Sequence, residues 1–219
     1  MRIFRLLLVL PLLGLLGGVP TADAAPKATK GAAAKEAPLP KIEATGISEF
    51  DSVFMKAKTI HETLDVQDKQ FVDARAQVAI ALGVAADAPL KTAFDDLKAK
   101  ANGKLKVALK GKMPRLEATD AVPENVQTGI DAVNKLLDAG ESMIDTGVQL
   151  VPEAQALAEA CADFPSRLTT MGLDPMKLIE STKKVANNVK ATGATPARVD
   201  RLVKTSEGVF LDAKAAFGE

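Results

Sequence analysis

The chain has 219 residues with 28 basic and 28 acidic side chains, one histidine, one cysteine, and neither tryptophan nor tyrosine. Balanced charge excludes global electrostatic steering of nucleic acid. Without Trp and Tyr the protein lacks the amphipathic rings that build carbohydrate platforms, interface hot spots and base-stacking surfaces, so its eight Phe are its only rings.

The first residues carry an address. Met1, Arg2 and Arg5 are followed by an apolar run from Leu6 to Val19 and by Ala22-Asp23-Ala24, the small-x-small pattern of a cleavage site. Residues 1–24 therefore read as a secretory signal peptide. The run is about 21 Å long as a helix, against roughly 30 Å for a hydrocarbon core, and Pro11 weakens it as an anchor. N-terminal lipidation would need a Cys just after the run, whereas the single Cys is Cys161. The expected product is exported, periplasmic or secreted, and soluble after cleavage; a retained anchor is the alternative. Residues 25–44 are Ala, Lys and Pro with almost no large apolar side chains and read as a flexible tether. It is either a plain spacer or a stretch whose four lysines touch an anionic envelope surface or wall polymer. Residues 45–219 are long enough for one domain with its own core.

A helix is expected after Ser48, which with Asp51 has the spacing of a capping box. Steps of three and four from Phe50 reach Val53, Ala57, Ile60, Leu64, Gln67, Phe71, Ala74, Val78 and Ala81, a seam whose only polar member is Gln67. One helix to Gly83 and two helices broken at Asp65–Lys69 both fit. Asp87 ahead of Pro89 starts a second helix with Phe94, Leu97, Ala101, Leu105 and Ala108 on one face and Gly111 as the stop. Its rival is a short strand over 104–110 after a turn at Gly103, because Leu105, Val107 and Leu109 alternate with Lys104, Lys106 and Lys110. Residues 112–122 read as loop.

After Pro123 the seam is Val126, Ile130, Val133, Leu137, Gly140, Ile144, Gly147 and Val151. Its two glycines mark either close approach of a neighbouring helix or tolerated drift. Pro152 kinks or restarts this helix, whose seam runs on through Ala154, Ala158 and Cys161 until Pro165 and Gly172 close the segment. Asp174-Pro175 and Thr195-Pro196 each place a capping side chain before a first-turn proline, with Gly193 between the two helices. Leu178, Ile179, Val185 and Val189 face inward from the first; Val199, Leu202, Val203, Val209, Phe210, Ala213 and Phe217 do so from the second. Pairs such as Asp131 with Lys135, Glu180 with Lys184 and Asp200 with Lys204 mark solvent-facing surfaces. Short connections then predict an all-α, antiparallel up-down bundle of five to six long amphipathic helices.

The chemistry is sparse. His61 sits in HETLD, where a zinc-protease helix would read HExxH; Asp65 replaces the second His and no other imidazole exists, so no metal site is expected. A single His also leaves little room for a Ser-His-Asp arrangement, and no GxSxG elbow, GxxxxGK[ST] or GxGxxG loop occurs. Cys161 falls on the apolar seam and reads as a small buried residue rather than a reactive thiol. Lys98, Lys100, Lys104, Lys106, Lys110, Lys112 and Arg115 follow one another without an intervening acid. They are either a patch for an anionic envelope surface or an acidic partner, or lysines that complement a helix C-terminus with Asp95, Asp96 and Glu117 close by in sequence. Neither cofactor nor nucleic acid is expected. The reading is a non-enzymatic structural or interaction protein of the cell envelope, its partner a protein or an anionic surface, with homo-oligomers left open. The alternative is a periplasmic carrier holding a lipid or other apolar ligand between helices, and an enzyme is the third reading.

Overall fold

A computed structural model describes residues 38–110 and 113–217. The expected signal peptide, residues 1–24, and residues 25–37 of the expected tether lie outside the described residues. Within them the protein is mostly helical, with α1 (Ser48–Leu82), α2 (Leu90–Ala101), β1 (Leu105–Lys110), β2 (Met113–Ala118), α3 (Glu124–Cys161), α4 (Phe164–Thr170), α5 (Pro175–Gly193) and α6 (Thr195–Phe217). The expected five to six long helices are corrected to four long ones, α1, α3, α5 and α6, joined by two short ones and a two-stranded sheet.

α1 runs 35 residues without a break. Its polar stretch Asp65–Lys69 contains no Gly or Pro, so nothing there interrupts the backbone ladder. Phe50, Ala57, Ile60, Leu64, Phe71, Ala74 and Val78 are buried as expected, while Val53 and Ala81 are half-buried beside the fully packed Phe54 and Leu82. The expected cap is displaced. Asp51 turns back past Ser48 and accepts from Thr45 N (2.7 Å), Thr45 Oγ1 (2.8 Å) and Gly46 N (3.0 Å). The helix ends at Gly83 in the left-handed region, φ 69°.

α2 stops at Ala101, ten residues short of Gly111, because Asn102 (φ 50°) and Gly103 (φ 79°) turn the chain in two successive left-handed steps. The period-two alternation of Leu105 and Val107 then wins over the helical one. β1 pairs antiparallel with β2, Val107 opposite Leu116 and Lys106 opposite Glu117. The expected loop 112–122 therefore contains a strand. Its proline hides the signal, yet Pro114 stands in a pair that exchanges no ladder hydrogen bonds, where a missing N–H costs nothing.

α3 is continuous over 38 residues and passes through Pro152. α1 and α3 run antiparallel: Leu82 lies beside Gly129, and Ser142 Oγ donates to Gln67 Oε1 (3.3 Å). α3 and α6 are also antiparallel, with Phe210 on Gly140 and Val203 on Gly147. α1 and α6 point the same way, since His61 meets Thr195 and Asp65 meets Arg198. The core between these helices includes Phe54, Leu64, Phe94, Leu97, Ile130, Val133, Leu136, Leu137 and Met143, all under 2% exposed. Each such large side chain contributes on the order of 1.5–3 kcal/mol by leaving water. Phe164 of α4 stacks on Phe50 at 4.1 Å and meets Phe54 edge-on at 5.4 Å, with Arg167 over the rings and paired with Glu49.

α5 differs from its sequence reading. Asp174 caps it by accepting from Met176 N (3.0 Å), but Ile179 is 71% exposed and the inner face carries Ser181, Asn188 and Thr192 beside Val185. Asn188 is fully buried and holds the backbone of Glu43 from both sides, accepting from its N (3.1 Å) and donating to its O (2.6 Å). Ile42 and Thr45 are buried too. The tether read as reaching 44 therefore gives way to docked chain by Ile42. Glu180 pairs with Lys184 and Asp200 with Lys204, both at 2.6 Å, whereas Asp131 accepts from Gln127 instead. Among the described residues no helix is long and apolar enough to cross a membrane.

Candidate functional site: the lysine-rich hairpin

The seven basic residues expected to form one patch are separated by the turn at Asn102–Gly103 and by the hairpin. Lys98 and Lys100 lie in the last turn of α2. Lys98 Nζ donates to Ala216 O (2.8 Å) near the end of α6, and Lys100 Nζ to Leu82 O (2.9 Å) at the end of α1, with Asp96 at 2.7 Å. Two lysines thus satisfy carbonyls that the ends of other helices leave without intrahelical partners. Lys104 reaches Ala121 O (2.9 Å) and stands 3.7 Å from Asp120. Lys106 pairs across the sheet with Glu117 at 2.9 Å. The side chains of Lys110 and Lys112 lie outside the described residues.

Arg115 is buried, at 9% side-chain exposure, and one guanidinium nitrogen meets both Asp138 and Glu141 (2.8 Å) on α3 while another donates to Pro114 O (2.8 Å). One helical turn earlier, Asn134 accepts from Leu116 N (2.8 Å) and donates to Leu116 O (2.9 Å). Its amide stands where a neighbouring strand would, and closes that side of β2. The sequence singles out none of Asn134, Asp138 and Glu141. Their i, i+4 and i, i+7 spacing places them on one stripe of α3, a stripe that looks solvent-facing until the hairpin is known to lie against it.

His61 is half-buried, its Nε2 2.8 Å from Thr195 Oγ1, and Thr195 Oγ1 donates to Ala191 O (3.3 Å). Thr195 is fully buried and joins α1 to the α5–α6 junction instead of capping α6. Burial, helped by the Arg198 charge, holds the His61 pKa below 6.5 against the opposing pull of Asp65 and a backbone bond to Ala191. Asp65 pairs with Arg198 (2.6 Å) instead of sharing a ligand with His61. Among the described residues no three His, Cys, Asp or Glu gather closely enough to hold a metal ion. Cys161 is fully buried with Sγ 3.4 Å from Ala158 O, and burial pushes its thiol pKa up, which disfavours the nucleophilic thiolate.

Comparison with protein-family models, with curated proteins and with solved structures returns no match.

Proposed function

We propose that the protein is an exported, non-enzymatic interaction protein of the cell envelope that acts through the surface of its helical domain. The observation that carries this reading is where the chemically capable side chains are spent. His61 bridges α1 to Thr195, Arg115 anchors the hairpin, and Cys161 is packed away. The first two position one element on another, and the third fills the core. The cationic leader, apolar run and Ala22-Asp23-Ala24 support export, and the pairing of α1 with α3 and of α3 with α6 supports an antiparallel up-down arrangement at the centre of the domain.

The glycine seam favours this reading over a carrier. Gly140 and Gly147 receive Phe210 and Val203 of α6, so the space they leave is used for helix contact and not for a ligand. Helix-end carbonyls take up Lys98 and Lys100 and the carboxylates of α3 take up Arg115, so the seven basic residues do not form one patch for an anionic surface, which moves the emphasis to a protein partner. Crosslinking in intact cells, followed by identification of the attached species, tests the proposal together with native mass spectrometry of protein purified from its host. A crosslinked protein partner and a mature chain starting near Ala25 are expected. Co-purifying lipid would overturn the reading in favour of the carrier, and a mature chain starting at Met1 would overturn export.

A further inference from the structure

We propose that the outer edge of β1 is a docking site for an extended polypeptide segment in which acidic residues alternate with small apolar ones, added to the hairpin as a third strand. This deepens the interaction reading above by naming a surface and a partner chemistry. The argument starts from the ladder. In an antiparallel pair, residues alternate between those whose N–H and C=O point at the partner strand and those whose groups point away. Thr119 N donates to Lys104 O (2.9 Å), so Lys104 faces β2; two and four residues on, so do Lys106 and Ala108. Leu105, Val107 and Leu109 therefore direct their backbone groups away from β2. The other strand confirms the phase, because Leu116, opposite Val107, spends its own outward N–H and C=O on Asn134.

The two edges of this sheet are thus treated differently. Asn134 takes up the β2 edge at Leu116, and α3 lies along that strand. Among the described residues no hydrogen bond reaches the outward backbone groups of Leu105 or Val107. An open edge of that kind is a template for strand addition, in which main-chain bonds give affinity and alternate side chains give selectivity.

Charge decides the occupant. Lys106 and Lys104, the latter bonded to Ala121 O and 3.7 Å from Asp120, occupy the positions alternating with Leu105 and Val107, and Lys110 is the next lysine of that phase in the strand. Lys106 already meets Glu117 on its β2 side and is 54% exposed, so a carboxylate on the opposite side would give it a second cross-strand partner. A second copy of β1 would instead set lysines against lysines. The chain's own residues 25–37 bring Lys27, Lys30 and Lys35 against one acid, Glu36. Leu105 and Val107 are half-buried and pack against the core, so the intervening positions of the incoming strand would be small and apolar.

The test uses the purified mature protein, a short blocked peptide of alternating Glu and Val, and a control peptide of alternating Lys and Val. Amide shifts and slowed hydrogen exchange are expected at Leu105, Val107 and Leu109, with the Lys peptide binding at least about tenfold more weakly. V107P removes an outward N–H and spares the bonds to β2, so it should weaken the Glu peptide about tenfold with the unfolding midpoint nearly unchanged. K106E should reverse the preference between the two peptides without requiring a proline in the strand. The proposal fails if the Glu peptide leaves these amides unmoved, or if both peptides bind equally. It also fails if the amides are already protected in free protein that sediments as a dimer, which would give the edge to a second copy. A protein partner crosslinked at a helix face, with the peptide inert, would leave the interaction reading standing and remove this edge from it.

Discussion

Gly147 and Gly208 both lie inside long helices, and replacing each with Ala should shift stability in opposite directions. Relative to Gly, Ala favours a helix interior by about 1 kcal/mol, chiefly by restricting the unfolded chain. At Gly208 a Cβ would meet nothing within 4 Å, so G208A should collect most of that gain. At Gly147 a Cβ would stand 2.3 Å from Val203 Cγ2, a separation that real atoms do not tolerate. Val203 is β-branched and helical, with one strongly preferred rotamer, so it cannot swing aside freely, and the α3–α6 contact must open. Overpacking of this kind costs about 1–3 kcal/mol; set against the helical gain, G147A should be destabilised by about 1 kcal/mol. The midpoint shift in a domain of this size is roughly 2–4 °C for each kcal/mol, downward for G147A and upward for G208A. Thermal and urea unfolding followed by circular dichroism measure both. The double variant G147A/V203A should recover part of the loss, because the clashing methyl is gone, with a coupling of about 1 kcal/mol. If G147A proves as stabilising as G208A, the close approach of α6 is not what keeps a glycine there.

Three other outcomes follow from single side chains. N188A removes the amide that holds Glu43, so it should cost about 1–3 kcal/mol and speed proteolysis between residues 38 and 47, while the sites in α3 stay protected. R115A should lower stability by about 1–2 kcal/mol and speed amide exchange in the hairpin. The loss stays modest because water can solvate Asp138, which is 63% exposed, and R115M should lose less by keeping the stem. His61 has a folded pKa below its unfolded value of 6.5, so the unfolded chain binds more protons as pH falls through 6.5. Its contribution is therefore complete above that pH and declines below it; wild type should lose more urea stability than H61Q between pH 8 and pH 5.5, and equal slopes would refute the assignment.

The long helices were legible because periodicity is a local property. Most positions of the α1 and α3 seams were readable, although Val53, Ala81, Ile144 and Val151 are half-buried while Phe54, Leu82, Leu136, Met143 and Leu157 beside them are buried, and Gly83 and Asp174 act as the punctuation predicts. The errors arise where tertiary contacts outvote local ones. Ser48 has the right spacing for a cap, but Thr45 offers Asp51 two donors once Ile42 and Thr45 are docked. Ile179 looks like part of an apolar face, yet α5 turns Asn188 and Thr192 inward to receive another backbone segment. The seven basic residues lie close together in sequence, but Lys98, Lys100 and Arg115 are drawn away by the C-terminal ends of α6 and α1 and by carboxylates of α3, which no local window contains. The strand at Leu105 was visible in its alternation. Its partner was concealed by Pro114, whose harmlessness depends on a register that exists only after pairing.

The side-by-side run of α1 and α6 has a consequence for how the protein is made. His61 and Thr195 are 134 residues apart in the chain, and Asp65 waits almost as long for Arg198. At roughly 5–20 residues per second of synthesis, that interval is on the order of 10 seconds. Throughout it the apolar seam of α1 has been made and the helix that completes its enclosure has not. A chain stopped before Arg198 would still contain α3, the main neighbour of α1, but would lack the Asp65–Arg198 pair and the buried side chains Val199, Leu202 and Val209 of α6.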